Sequence, residues 1–326
     1  FLSLPLLPPH PQNRIANTPD SALGIVLHRA GYDVWMGNNR GNAFSTNHTH
    51  LPTKSKAFWN FTFDEMGRYD LPAMVSAALS IAKRPKLNLI AWSQGNTQTL
   101  IAGSDPTVGP FLAHKIELWI ALSPVSFLYD SSSTLLTLLS RFHLAGVLEA
   151  AFPYGILQGG PALSALETLL CKLTFGALCK LSVDLICGVS AADSTASLER
   201  LTAHFPAGCS VKDLNHYENF VDHQVFRKFN YGAVGNREEY GTATPPPYNM
   251  SHFQSSGIKL AIYAAGNDDL VNAKDLLRLE SLFPPALIQA QKLYDGFSHV
   301  TWMVGTTAAF QQWGGDVLNM LEKHVV

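Results

Sequence analysis

The chain is expected to be an α/β protein with a mostly parallel central sheet, flanking helices and one helical insertion. Three observations predict this. Apolar runs of strand length recur at Leu87–Trp92, Ile116–Leu122, Ile258–Ala264 and Ile288–Tyr294, with helical patterns between them. The rhythm stops between about Pro124 and Tyr248, where apolar helical stretches take over. The 326 residues are 47% hydrophobic and 15% charged, which suits one large globular domain or a core with an insertion.

Taken in order, Pro19-Asp20-Ser21 opens a helix over Ala22–Arg29, and Gly31 stops it. "YDVWMG" (Tyr32–Gly37) reads as a strand and "NNRGN" as the turn after it. Asp70 is placed to cap a helix running to about Lys83, with Pro72 in its first turn. Leu87–Trp92 is a buried strand, Thr97–Gly103 a helix and Ile116–Leu122 a strand. The insertion contains "TLLTLLSRFHLAGVLEAAF" and "ALETLLCKLTFGALCKL", and "TPPPYN" closes it. Then come strand Ile258–Ala264, a helix over Ala273–Phe283, strand Ile288–Tyr294 and a last helix to about His324. The expected division is a core over residues 1–124 and 249–326 and a helical cap over residues 125–248.

A formal net charge of −2 gives no electrostatic footprint for nucleic acid or an anionic membrane. The uncharged run Ala150–Leu166 is broken by Pro153, Gly155, Gly159, Gly160 and Pro161, so no transmembrane helix is expected there. The opening "FLSLPLLPPHPQN" lacks an initiator Met and a basic region, and is not read as a signal peptide; a mature or truncated form is expected. The cysteines, Cys171, Cys179, Cys187 and Cys209, allow three full pairings and show no zinc-site spacing, so no metal or cofactor is expected. Sequons at Asn47, Asn60 and Asn249 point to a secretory route.

The chemistry centres on "NLIAWSQGNTQ". Ser93 ends a strand, begins a helix and sits between Ala91 and Gly95, small enough for a sharp turn. Such an elbow lifts the hydroxyl out of the sheet and aims a helix N-terminus, with the Gln94 N–H, at a developing oxyanion. An ordinary strand–helix turn would look similar, so the partners decide. A serine needs a base, and the base an orienting acid. "IKLAIYAAGNDDLV" offers Asp268 or Asp269 beyond one strand, and "LYDGFSHVTW" offers His299 beyond the next. Both lie where loops leave the C-terminal edge of a parallel sheet.

Motifs away from the serine carry a resemblance. "GYDVWMGNNRGNAFS" (Gly31–Ser45), "FWNFTFDEMGRYDLPAMV" (Phe58–Val75), the Ser-Gln-Gly elbow, "ALSPV", "ICG" and "PPPYN" make the chain resemble the acid lipases of the α/β-hydrolase fold, from about Ser21 onward. The resemblance implies Ser93 as nucleophile, His299 as base, Asp268 rather than Asp269 as acid, and Gln94 as one oxyanion donor. It sets Cys171 and Cys179 near a bridged pair, one residue closer than in the family, and Cys187 at a free cysteine. It makes Arg40, Asp64 and Glu65 scaffold. The family's His-Gly-Leu loop is replaced by Pro5-Leu6-Leu7, which leaves Leu7 as the second donor, and Ala91-Trp92 stands for Gly and, commonly, His. Trp92 then adds bulk beside the nucleophile.

The expected function is cofactor-free hydrolysis of long-chain triacylglycerols or steryl esters at a lipid–water interface, through an acyl-enzyme. The insertion would act as the lid, with the Leu- and Phe-rich stretch Leu135–Phe152 meeting lipid on a peripheral membrane or droplet surface. The alternatives are a lipid-binding scaffold without turnover and a short-chain esterase with a rigid capped pocket.

Overall fold

The computed structural model describes residues 17–155, 173–174, 177–202 and 208–326. Among these residues four strands form one parallel sheet: β1 (Leu87–Ser93), β2 (Ile116–Pro124), β3 (Lys259–Ala265) and β4 (Ile288–Tyr294), paired in that order. Every residue of β1 is buried and only Glu117 of β2 is partly open, because helices cover both faces. Each Leu or Ile so buried contributes about 1.5–3 kcal/mol. β4 lies at the sheet's edge and is largely exposed. Its Lys292 pairs with Asp316 at 2.6 Å, a charge that discourages further strand pairing.

Helix α1 (Leu23–Arg29) ends near Gly31, whose φ of +91° suits glycine. The expected strand Tyr32–Gly37 is not formed; these residues have no regular secondary structure. Ladder pairing needs strands about 5 Å apart, and a cavity of about 430 Å³ is instead lined by Tyr32, Asp33 and Trp35 together with Leu87, Asn88 and Ile90 of β1.

The short helix Phe63–Glu65 starts with a capping box, in which Thr62 and Glu65 satisfy each other's backbone N–H groups. A π-helical turn, Met66–Asp70, leads into α2 (Leu71–Ala82). Asp70 does not cap α2 with its side chain, as its dihedrals are helical and its carboxylate grips Arg40 instead. Asp64 accepts from the Tyr248 hydroxyl at 2.8 Å. Helix α3 (Gln94–Ser104) follows β1 directly, and all eleven of its residues are buried. Its Asn96 spans the core, accepting from Trp119 Nε1 at 3.0 Å and donating to Leu122 O.

Between β2 and β3 the described residues are helical, apart from isolated bridges and connecting loops. They include α4 (Thr134–Arg141), α5 (Leu144–Ala151) and α6 (Val211–Asp222). Apolar side chains on α4, α5 and just beyond face water: Leu135, Leu138, Phe142, Val147 and Phe152 are 42–63% exposed. In contrast, α6 buries Asp213, His216, Tyr217 and Phe220. After β3, α7 (Ala273–Glu280) is capped by Asn272, and α8 (Thr307–Lys323) by Thr306. No helix among the described residues is long and apolar enough to cross a membrane.

Candidate active site

The C-terminal ends of β1, β3 and β4 bring three side chains together. Ser93 ends β1 with φ 57° and ψ −125°, a conformation that non-glycine residues rarely adopt. Its Oγ lies 2.7 Å from His299 Nε2. His299 Nδ1 lies 2.7 Å from Asp268 Oδ2. The network sets the tautomer: Nδ1–H donates to the carboxylate, and Nε2 accepts the serine proton. Asp268 Oδ1 accepts from the Leu270 and Val271 N–H groups at 2.9 Å, which fixes the carboxylate.

The neighbouring acids are used elsewhere. Asp269 accepts from the Ser132 hydroxyl at 2.6 Å, and Asp275 bonds Arg278 and the Asp130 N–H. Ser93 is 0% exposed and His299 1%, so both side chains are closed off from water.

The loop carrying His299 is held from several sides. Cys187 O accepts the His299 N–H at 3.0 Å. Asp193 accepts from the Ser298 and Thr301 hydroxyls. Trp92 Nε1 donates to His299 O at 2.9 Å, and its ring lies 5.4 Å from the imidazole, so its bulk braces the histidine loop. Cys187 and Cys209 are free and buried; burial pushes both thiols up, Asp268 adding to the effect on Cys187.

Gln94 opens α3, so its N–H is among the four that no intrahelical carbonyl satisfies. Its side chain runs to α6, where Nε2 donates to Asp213. Asp213 and His216 were not legible as site-shaping residues. Burial raises the Asp213 carboxyl to about 7, and burial lowers the His216 imidazole to about 3. The one available signal was two polar residues three apart in a helix, which ordinarily marks a solvated face.

Leu7 and Cys171 lie outside the described residues, as does the side chain of Cys179. Asn47, Asn60 and Asn249 are all exposed. Among the described residues, His143, Glu218 and Asp222 bring three ligand-type atoms within 4.8 Å of one another; none belongs to the serine–histidine–aspartate group.

Comparison with known proteins follows the same direction. No family model matches the chain. It is 35% identical over 272 residues to the gastric triacylglycerol lipase of Bos taurus, covering 81% of this chain and 66% of that one. It is 32% identical over 318 residues to the putative lysosomal acid lipase/cholesteryl ester hydrolase of Crotalus adamanteus, covering 95% of this chain and 76% of that one. The chain belongs to the acid lipase family. Lipase member K of Mus musculus is also 32% identical, with the same coverage. The chain thus spans about two thirds to three quarters of these relatives' length.

Solved structures place this acid lipase homologue among the α/β-hydrolases. The Saccharomyces cerevisiae monoglyceride lipase superposes with a TM-score of 0.51 at 12% identity, over 100% of this chain and 86% of that one. A putative aryl esterase from Burkholderia cenocepacia gives 0.52 at 14% identity, over 99% and 89%. At such identities the likeness concerns the fold alone.

Proposed function

We propose that this acid lipase family member is a serine carboxylic ester hydrolase acting on long-chain lipid esters. The observation that carries the reading is the unbroken chain from Asp268 through His299 to Ser93, with both links at 2.7 Å, on a backbone turn at φ 57°.

Ser93 Oγ attacks the ester carbonyl carbon while His299 Nε2 takes the hydroxyl proton. Asp268 holds Nδ1–H and stabilises the imidazolium. The carbonyl oxygen becomes an oxyanion, held by the Gln94 N–H and, in this proposal, by Leu7 N–H. The C–O bond to the alcohol breaks as His299 returns the proton to it. Water, deprotonated by His299, then attacks the acyl-enzyme, and the fatty acid leaves with Ser93 restored.

A lipid substrate is supported by two observations. Ser93 is wholly buried, so its cover must move before an ester can enter. The exposed leucines, valine and phenylalanines of the α4–α5 region form the kind of surface that an interface would cover. That apolar face favours a lipase over a short-chain esterase. The relatives' names include triacylglycerol and cholesteryl ester substrates, and this chain is proposed to act on one of these classes. The exposed sequons support a secreted, lysosomal or vacuolar location, with peripheral contact to a membrane or lipid droplet.

The test is labelling with a long-chain alkyl phosphonate and peptide mapping. A single adduct on Ser93, abolished in S93A, is expected, with turnover of triolein or cholesteryl oleate. No adduct on folded protein would refute the reading.

A further inference from the structure

One face of α6 grips the elbow. Gln94 Nε2 donates to Asp213 Oδ2. Asp213 and Tyr217 are four residues apart, so they lie one above the other on the helix. Asp213 Oδ1 accepts the Phe63 N–H at 2.5 Å. The Tyr217 hydroxyl lies 3.4 Å from Thr97 Oγ1, in the first turn of α3. Asp213 is 2% exposed and Gln94 3%, so water cannot replace these bonds. A buried carboxylate held by two donors from separate segments is a fixed point.

We propose that Asp213 is a positioning residue of the oxyanion hole, acting through the Gln94 side chain to fix the first turn of α3 and the direction of the Gln94 N–H. The inference rests on the reading of that N–H as the oxyanion donor.

Geometry also makes the site sensitive to the charge on Asp213. The oxyanion develops beside Gln94, the same residue that Asp213 holds. In a low-dielectric interior an ionised Asp213 opposes that charge, and a neutral one does not. The clamp serves either state: a carboxylate accepts from the amide NH₂, and a carboxylic acid donates to the amide oxygen once the amide is turned.

The groups around Asp213 do not neutralise it. Glu65 repels it, Cys209 and Tyr217 are kept protonated, and His216 is kept neutral. Asp64 is engaged by Tyr248, and Lys212 donates to Asn60 and Tyr231. Burial, with Glu65 as a smaller cause, raises Asp213 to about 7. Hydrolysis should therefore lose rate as pH rises through that value.

The experiment uses the full chain and its D213A, D213N, Q94A and D213A/Q94A variants. It measures kcat and KM on a soluble p-nitrophenyl ester from pH 4 to 9, with thermal melts and phosphonate labelling alongside. D213A should lower kcat by about 10–100-fold, below the loss of a whole donor, with KM within about two-fold. The double variant should be no slower than the slower single variant, because both changes break one linkage. D213N, which cannot ionise, should raise the ratio of kcat at pH 8 to that at pH 5 at least about three-fold over wild type.

Multiplying losses in the double variant, or a D213N profile that superimposes on wild type, would overturn the proposal. If D213A does not fold, the D213N profile decides. A wild-type protein that neither turns over ester nor labels at Ser93 would instead refute the hydrolase reading.

Discussion

Replacing His216 with Phe should make the protein less stable near neutral pH and more stable in acid, with the curves crossing near pH 5. His216 is fully buried between Phe63, stacked at 4.1 Å, and the rings of Phe220 and Phe229. Its Nε2 donates to Arg227 O and its Nδ1 accepts from the Thr62 hydroxyl, both at 3.1 Å. Phenylalanine fills the same stack but takes the donor from Arg227 O, while Thr62 Oγ1 keeps Glu65 and the Asp64 N–H. The cost is about 1–3 kcal/mol around pH 7.

The acid side follows from linkage. Burial, the largest cause, holds the folded imidazole at about 3, whereas the unfolded chain protonates near the usual 6.5. Below pH 6.5 the unfolded state binds the extra proton, so wild-type stability falls with falling pH until about pH 3. The loss reaches about 2 kcal/mol at pH 5 and about 3 kcal/mol at pH 4. H216F has no such group and escapes that loss. Glu117, held near 2 chiefly by its bonds to Lys259 and Lys86, titrates lower and is common to both proteins. Urea midpoints measured from pH 4 to 8 at constant ionic strength give the difference directly. A difference that stays constant from pH 7 to 4 would refute the buried neutral imidazole.

Three further outcomes are expected. D268N should keep the fold and lower kcat about 10⁴-fold, read on a soluble ester: the Leu270 and Val271 N–H groups hold the Asn oxygen, so its NH₂ faces Nδ1 and favours the wrong His299 tautomer. G103A should destabilise the chain by about 3 kcal/mol or more in denaturant melts, since an added Cβ would lie 1.6 Å from the Phe253 ring in packed core. Cys187 and Cys209 should resist an aromatic disulfide reagent in the native state and react on unfolding, because both are buried with raised thiols.

What could be read in the sequence was what local pattern controls. The strand Ile288–Tyr294 was predicted with its observed bounds, and β1, β2 and β3 lie within two residues of expectation. Apolar runs of that length between helical segments have few other ways to be buried. Tyr32–Gly37 reads as a strand but has no ladder partner among the described residues, and a strand is a property of a pair. Asp70 had the right residue type for a cap, yet a cap needs extended dihedrals. The π turn before it supplies helical ones, and Arg40, thirty residues away, takes the carboxylate.

Helix α6 is where local reading fails for a reason that bears on function. "VKDLNHYENFVD" looks like a solvated helix. Yet Asp213 and His216 are buried, and partners lying 119–154 residues earlier hold them there: Gln94 for Asp213, Phe63 for Asp213 and Thr62 for His216. These are directed bonds between buried groups, and sliding the helix by one turn would break all of them at once. The apolar contacts of a lid can be exchanged for lipid at little cost, but such bonds cannot. The insertion therefore divides by chemistry rather than by sequence position. α4 and α5 carry the apolar surface that an interface could take over, while α6 shares the polar interior of the hydrolase core and holds the elbow in place.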